Sequence, residues 1–258
     1  MPLLHEIYKY RYVIFSYVQI HLRLRYRRSA LGFIWTVLAP LMQYLIIGVV
    51  FKYAAKIQSD EYYVYFFTGS IVFNVFSVLL ARAPLIMTGN EHFIKKIHLP
   101  KVIYVLNAVA YEFVNFLIVF LTLFTFGTIL GFIKISWALF LIPLAMLLVF
   151  LCLSGMAALL SVVGVYFRDM NYIVPPLLQA CFFITPIAYE IHVLPQIMQN
   201  FLFLNPFYHY IEIFRVILLK GQVPGVGHIG YATVFALIFF SLGVWVIKKF
   251  DNKIVFKL

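Results

Sequence analysis

Charged residues are scarce in this chain of 258 residues, and their scarcity excludes an ordinary soluble domain. Asp, Glu, Lys and Arg make up only 11% of the residues, and 64% are hydrophobic, whereas soluble domains carry roughly a quarter charged residues. Acidic residues are the scarcer class, with 9 against 20 basic ones. The basic residues flank apolar segments, which indicates contact with lipid headgroups and not with nucleic acid. The sequence predicts an all-α integral membrane protein.

Signatures of catalysis are also lacking. The chain has no Gly-x-x-x-x-Gly-Lys-Ser/Thr phosphate loop, no His-Glu-x-x-His pair and no Gly-x-Ser-x-Gly elbow. Its seven histidines do not pair at metal-ligand spacing, and its two cysteines, Cys152 and Cys181, lie in different apolar segments. Two buried thiols are favoured there over a disulfide. We predict no catalytic residue, metal or cofactor in this chain, so uphill transport would draw its energy from a partner or an ion gradient.

Apolar segments dominate the rest of the chain, and six of them are predicted to cross the bilayer. A span needs about 20 predominantly apolar residues. The predicted spans are residues 31–50, 62–81, 102–130, 137–166, 171–189 and 228–247. Residues 1–28 are amphipathic at helical spacing and are predicted to form an interfacial helix on the membrane surface. Residues 29–258 then form a six-helix transmembrane domain.

The distribution of basic residues predicts the orientation. A cluster that includes Arg25, Arg27 and Arg28 directly precedes the first span, and such juxtamembrane arginines stay in the cytoplasm and attract anionic lipid headgroups. Six spans with both termini inside place fifteen of the twenty Lys and Arg residues on the cytoplasmic side. The turn at Arg168 and Asp169 is then cytoplasmic as well. The reversed topology would invert this bias, so we reject it.

The segment between the fifth and sixth spans is predicted to form a re-entrant hairpin. Residues 190–212 are largely apolar, but Pro195 and Pro206 cut them into pieces too short to cross a bilayer. Asn205 and other uncharged polar residues add groups that need partners. Irregular backbone at membrane depth is tolerated only against protein or a water-filled cavity. We expect this hairpin at the outer face.

Glu112 is the one acidic residue well inside a predicted span, with Asn115 close by. A carboxylate at the centre of a bilayer costs about 2.5 to 3.5 kcal/mol on insertion scales, so it needs a polar partner or a wet cavity. Structural pairing or lining of a cavity is the favoured interpretation. A role in proton coupling is the alternative, although a second acid or histidine for a relay is missing.

Four short motifs resemble those of one transporter family. They are the basic run from Arg27 to Trp35, which leads to Pro40, and the segments Tyr166 to Met170, Thr185 to Ile187, and Asn205 to Phe207. In order and spacing they resemble the membrane subunits of bacterial ABC exporters for O-antigen, teichoic acid and capsule polysaccharides. The resemblance covers essentially the whole chain, and its motifs favour the O-antigen and teichoic acid branch over capsule.

The resemblance implies a permease in the bacterial cytoplasmic (inner) membrane. Two copies of this chain would form a homodimer with two copies of a cytoplasmic ABC ATPase, which binds ATP and Mg. The substrate would be a polysaccharide linked to a polyprenyl diphosphate lipid. Residues 88–100 would form the segment that couples to the ATPase, and the hairpin at Pro195, Asn205 and Pro206 would form the outer gate. The residues expected to couple are Glu91, His92, Phe93, Ile94, Lys95 and Lys96.

Aromatic residues make up 19% of the chain and are candidates to line the path of the polysaccharide. Flat aromatic faces make broad contacts that let sugar rings slide. Candidates to line the channel come from the first and fifth spans and are Phe33, Trp35, Tyr44, Phe182, Phe183 and Tyr189. The alternative is that these rings face lipid or anchor at the interface.

Two other functions stay open at this stage. An integral-membrane enzyme that acts on lipid-linked sugars would need a cluster of acids or histidines at one membrane face, and the acids of this chain are scattered. An ion-coupled carrier would show inverted repeats and a charged site at the midplane. By inspection the sequence shows no internal repeat.

Overall fold

The computed structural model describes residues 8–26, 32–54 and 61–258. These residues form helices and turns, and no strand occurs within the described ranges. Arg27 and Arg28 lie outside them, as does the side chain of Phe33. The α-helices are α1 (Arg11–Tyr26), α2 (Trp35–Ala54), α3 (Glu61–Arg82), α4 (Leu85–Thr88), α5 (Glu91–Lys96), α6 (Lys101–Ile129), α7 (Ile142–Tyr166), α8 (Met170–Ile184), α9 (Gln196–Phe201), α10 (Pro206–Arg215) and α11 (Val226–Lys257).

Five of the described helical segments are long and apolar enough to cross a membrane. They are Trp35–Tyr53, Glu61–Arg82, Lys101–Ile129, Trp137–Tyr166 and Val226–Asp251. The fourth begins with a 3-10 turn, Trp137–Leu141, before α7. A bent pair, Gln196–Leu204 and Pro206–Lys220, raises the count to six if it is one broken span. The predicted class, an all-α membrane protein with several spans, is confirmed.

The helix of the predicted fifth span is shorter than expected. It ends at Ile184, whereas the sequence predicted a span to residue 189. Thr185 is extended, with φ −78° and ψ 132°, because a residue that precedes a proline is pushed out of the helical region. The 15 residues of α8 extend about 22 Å, less than the roughly 30 Å of a hydrocarbon core.

Two short helical arms lie between α8 and α11, and the angle between them is 93°. The first comprises α9 and a 3-10 turn, Leu202–Leu204. The second is α10, which continues as a π-helical turn, Val216–Lys220, and ends at Gly221 with φ 64°. Helical structure therefore extends beyond residue 212, where the predicted hairpin ended.

The tightest packing joins α7 to α11. A Cβ atom added at Gly155 would lie 2.2 Å from the backbone of Phe239, and one at Gly243 would lie 2.6 Å from the carbonyl oxygen of Gly155. Small residues let membrane helices approach this closely. These two helices therefore pack as a close pair.

The two ends of the bundle differ in composition. We call the end that carries α5, the turn at Arg168 and the C-terminus of α11 the basic end; these segments share one surface cleft. Helix α1 packs along α6 near this end, where the ring of His21 contacts that of Tyr111. The opposite end carries the bent arms and the turn at Lys134.

Candidate functional site: a polar cavity and a capped loop

A cavity of about 230 Å³ opens between α2, α3 and α6, with one residue of α1 at its edge. We call it the polar cavity. Its apolar wall includes Pro40, Ile71 and Phe116. Its polar lining residues are Arg25, Thr36, Gln43, Tyr44, Asn74, Glu112 and Asn115. So many polar groups between membrane-spanning helices make this cavity a candidate functional site, because each group is costly in hydrocarbon.

Glu112 reaches the polar cavity from α6 and is held by two neighbours. Its Oε1 lies 3.4 Å from Arg82 Nη1, and its Oε2 accepts a hydrogen bond from Asn115 Nδ2, also at 3.4 Å. The spacing of three residues places Glu112 and Asn115 on one face of the helix. The Arg82 side chain is 70% exposed, so the pair is loose and open to solvent at one side. Glu112 also borders a second cavity beside Tyr17 and His21.

At the opposite end, four consecutive carbonyl groups of a non-helical segment are capped by side chains. Arg215 donates from Nη1 to the oxygen of Pro186 at 2.7 Å and from Nη2 to that of Ile187 at 2.9 Å. The hydroxyls of Tyr62 and Tyr65 donate to the next two carbonyls, those of Ala188 at 2.9 Å and Tyr189 at 3.1 Å. We call residues 186–189 the capped loop. With its carbonyls paired in this way, irregular backbone is stable at membrane depth.

Arg215 is the centre of this arrangement. It is 2% exposed, and its guanidinium lies 3.5 Å from the centre of the Tyr65 ring. A Cβ atom at Gly69 would lie 2.6 Å from its Nη2, so only glycine leaves room for the guanidinium. Among the described residues its Nε has no hydrogen-bond partner. The guanidinium therefore ties α10 to α3 and to the segment after α8.

The proposed gate motif contacts the same region. Asn205 Oδ1 accepts a hydrogen bond from the backbone nitrogen of Phe207 at 3.0 Å and so caps α10, while Asn205 Nδ2 donates to Thr185 Oγ1 at 2.8 Å. Pro206 takes the first helical position, where its missing N–H costs nothing. Pro195 is exposed and precedes α9. The structure thus joins the Asn205 and Thr185 motifs, which are 20 residues apart.

At the basic end, the predicted coupling residues form the short helix α5. His92, Phe93, Lys95 and Lys96 are exposed, whereas Ile94 is buried and anchors the helix. Lys95 Nζ donates to Glu91 Oε1 at 2.6 Å and holds the pKa of that carboxyl below its usual value. Arg168 and Asp169 are exposed, and Arg168 lines the same surface cleft as Glu91. This end therefore exposes several cations and the ring of Phe93.

Among the side chains that the structure describes, the predicted aromatic residues do not form one continuous wall. Tyr44 is 5% exposed and lines the polar cavity, whereas Trp35 is 36% exposed. Phe182 packs edge-on against Phe73, with ring centres 5.5 Å apart. Phe183 is 57% exposed, and the Tyr189 hydroxyl donates to the carbonyl of Phe183 at 2.6 Å. Their role in a channel stays a prediction.

Sequence reasoning missed the residues that cap the loop. Arg215 was not singled out from the sequence, but the structure buries it. The available signal was a single arginine flanked by apolar residues, Ile213 and Phe214 before it and Val216 to Leu219 after it. An ionisable residue in such a run marks a site that needs a named partner.

A metal centre has no support in the described part of the chain, where no three His, Cys, Asp or Glu residues lie close enough to hold an ion. The chemistry that this arrangement can perform is reversible hydrogen bonding and stacking. The polar cavity, with its amide and hydroxyl groups, suits contact with a hydrated molecule.

Comparison with known proteins places the chain in a family. The family model described as ABC-2 type transporter matches residues 12–219. An O-antigen export system permease protein RfbA of Myxococcus xanthus is 25% identical over 224 residues, which cover 86% of each chain. The RfbA of Klebsiella pneumoniae is 26% identical over 206 residues, 78% of each chain. The polysialic acid transport protein KpsM of Escherichia coli is 24% identical over 226 residues, 86% of this chain and 87% of its own. The chain therefore belongs to the ABC-2 type transporter family of membrane proteins.

Proposed function

We propose that this chain is the transmembrane subunit of an ATP-driven exporter that moves a polysaccharide such as O-antigen across the cytoplasmic membrane. The observation that carries the proposal is the similarity to RfbA and KpsM proteins over 86% of the chain and a matching share of each relative. Relatives named for O-antigen and for polysialic acid have in common that their cargo is a carbohydrate polymer. A permease of this kind forms the transport path, and its partner binds and hydrolyses ATP.

The proposed assembly is a homodimer of this chain with two copies of a cytoplasmic ABC ATPase, which bind ATP and Mg. Membership of the ABC-2 family implies the ATPase partner. The chain's own lack of a phosphate loop supports the same division of labour. In this assembly Glu91 to Lys96 dock on the ATPase, since their helix projects from the basic end with its cations exposed. Arg168 and Asp169 lie beside this docking helix.

The substrate in this proposal is linked to a polyprenyl diphosphate. Arg25, with Arg27 and Arg28, would bind the diphosphate or anionic lipid at the cytoplasmic surface, because cations beside a membrane attract such groups. Both termini would be cytoplasmic, and the arm with Pro195, Asn205 and Pro206 would gate the outer end. The aromatic rings of α2 and α8 would line the path across the dimer.

The test is deletion of the gene, followed by complementation with the intact chain. We expect the deletion strain to lose surface polysaccharide and to accumulate the polymer inside the cell, and the intact chain to restore export. Surface polysaccharide that is unchanged after deletion contradicts the proposal. The linkage to a lipid is tested separately by extracting the accumulated polymer with organic solvent. A lipid-linked polymer should be recovered in the lipid fraction.

The docking role has its own test within the complemented strain. Charge reversal at Lys95 and Lys96 should abolish export while membrane insertion stays normal, because the docking helix would then repel its site. The matched control is charge reversal at Lys248 and Lys249, another exposed lysine pair, which should retain export. Equal export by both double variants would place the docking site elsewhere.

A further inference from the structure

Two amide side chains inside the predicted spans have no hydrogen-bond partner among the described residues. Gln43 of α2 and Asn74 of α3 are exposed and line the polar cavity, and neither makes a hydrogen bond to any described residue. The exposure of Asn74 is local, since its neighbours Phe73 and Val75 are 3% and 4% exposed. An amide that faces hydrocarbon without a partner is costly. Both amides must therefore face water or a polar ligand.

Their depth places them well inside the membrane. Gln43 lies eight residues along α2 from Trp35, and Asn74 lies eight residues before Arg82 at the end of α3. At 1.5 Å per residue each lies about 12 Å from the basic end of its helix. A ligand at this position would lie between the helices and not at their ends.

Two further residues point to a ligand. Thr36 and Asn115 line the same cavity and are 3% and 8% exposed, yet Thr36 Oγ1 and Asn115 Oδ1 have no hydrogen-bond partner among the described residues. A buried polar atom without a partner costs about 1 to 3 kcal/mol. The helices thus hold polar atoms at this position for which the described residues supply no partner.

The charged groups of the lining favour neither an anion nor a cation. Arg25 and Glu112 line the cavity with opposite charges, and Glu112 is also paired with Arg82, which does not line it. The remaining groups are amides and hydroxyls, which both donate and accept, and they alternate with apolar atoms of Pro40, Ile71 and Phe116. A ring with hydroxyls on its edge and C–H groups on its faces matches both kinds of surface.

We propose that the polar cavity is a binding subsite for one sugar ring of the exported glycan, with Gln43 and Asn74 bonded to ring hydroxyls. This inference rests on the proposed export function and adds a specific hydrogen-bonding site in the half of the path nearest the basic end. Thr36 and Asn115 complete the site when the ring enters. The cavity's 230 Å³ far exceeds the volume that a single water requires, about 10 to 15 Å³.

Binding is tested with the full-length chain and its ATPase partner in lipid nanodiscs, by saturation-transfer NMR. The probes are oligosaccharides released by mild acid from the surface polysaccharide of the same strain, with inorganic diphosphate as an anion probe. We expect saturation transfer to the oligosaccharides. It should fall roughly fivefold in Gln43→Met and in Asn74→Leu, because each variant removes about one hydrogen bond at nearly constant volume.

Two matched controls separate loss of the site from loss of the fold. Asn107→Leu removes another buried amide of α6 that does not line the cavity, and it should bind like the intact chain. Ala39→Phe fills the cavity without removing a polar group and should abolish binding, whereas Ile46→Phe, on the exposed face of α2, should not. Equal binding by Ala39→Phe and Ile46→Phe overturns the proposal. So does transfer to diphosphate alone, or no transfer to either probe.

Export in cells distinguishes failure of this inference from failure of the proposed function. If deletion of the gene abolishes surface polysaccharide but Asn74→Leu and Ala39→Phe export at the intact level, the exporter assignment stands and the sugar subsite is wrong. If deletion leaves surface polysaccharide unchanged, the exporter assignment itself is wrong. Slow export by the cavity variants at normal protein level, with normal export by Asn107→Leu and Ile46→Phe, supports both.

Discussion

Glu112 and Arg215 are two ionisable residues in apolar helices, and their surroundings differ. Glu112 is 9% exposed, borders two cavities and shares a 3.4 Å contact with the largely exposed Arg82. Arg215 is 2% exposed and donates to the carbonyls of the capped loop at 2.7 and 2.9 Å. A buried group that makes several short hydrogen bonds to the backbone belongs to the scaffold. One with long bonds beside open space is available to a ligand.

Replacement of Arg215 by leucine should cause the largest loss of stability. It leaves the carbonyls of Pro186 and Ile187 without donors, and each unsatisfied buried group costs about 1 to 3 kcal/mol. We expect a loss of about 2 to 6 kcal/mol, measured by thermal unfolding of the purified chain in detergent and by its level in membranes. Arg168→Leu, at an exposed arginine, is the control and should unfold like the intact chain. An Arg215→Leu protein of normal stability would show that the capped loop does not need its cap.

Gly69→Ala should destabilise the same region without removing any hydrogen-bonding group. The new Cβ atom would lie 2.6 Å from Arg215 Nη2, and overpacking of this kind costs about 1 to 3 kcal/mol. Thermal unfolding again provides the measurement. The control is Gly227→Ala, where no atom lies within 4 Å. If Gly69→Ala and Gly227→Ala change the unfolding midpoint equally, the Arg215 guanidinium has room to move away from the new Cβ atom and is not tightly held.

Tyr62→Phe should have a smaller effect, because it removes one hydroxyl and keeps the ring. The lost bond to the carbonyl of Ala188 is 2.9 Å long, and its net contribution is about 1 kcal/mol. Tyr53→Phe, at a tyrosine that is 77% exposed, should unfold like the intact chain. A loss as large as that of Arg215→Leu would mean that the tyrosine, and not the arginine, organises the loop.

Glu112→Gln should change stability least. The amide keeps the shape of the side chain, and a pair with an exposed partner contributes at most about 1 kcal/mol. We expect an unfolding midpoint close to that of the intact chain, together with slower export, since Glu112 borders the polar cavity. A stability loss equal to that of Arg215→Leu would erase the distinction between the two sites.

Local sequence pattern predicted the elements but not their irregular ends. The third span was predicted over residues 102–130, and the helix covers Lys101–Ile129, because a long apolar run with polar ends leaves little choice. Helix α8 ends at Ile184 because Pro186 forces the residue before it, Thr185, into an extended conformation. The prediction of a span to residue 189 did not take this effect into account. Glu112 was noticed because it is the one acidic residue well inside a predicted span, and Asn115 because it lies three residues away. Gln43 and Asn74 were missed because no charged residue lies close to either of them in its span.

The sequence by itself determined that the chain lies in a membrane as several apolar helices, because an unbroken apolar segment of about 20 residues satisfies its backbone hydrogen bonds in lipid by forming a helix. Its motifs were sufficient to indicate the transporter family. Only the tertiary structure decided which polar groups meet. Tyr62 and Ala188 are 126 residues apart, and Arg215 and Pro186 are 29 apart. Such pairs depend on how whole helices pack, and no local spacing along the chain encodes them.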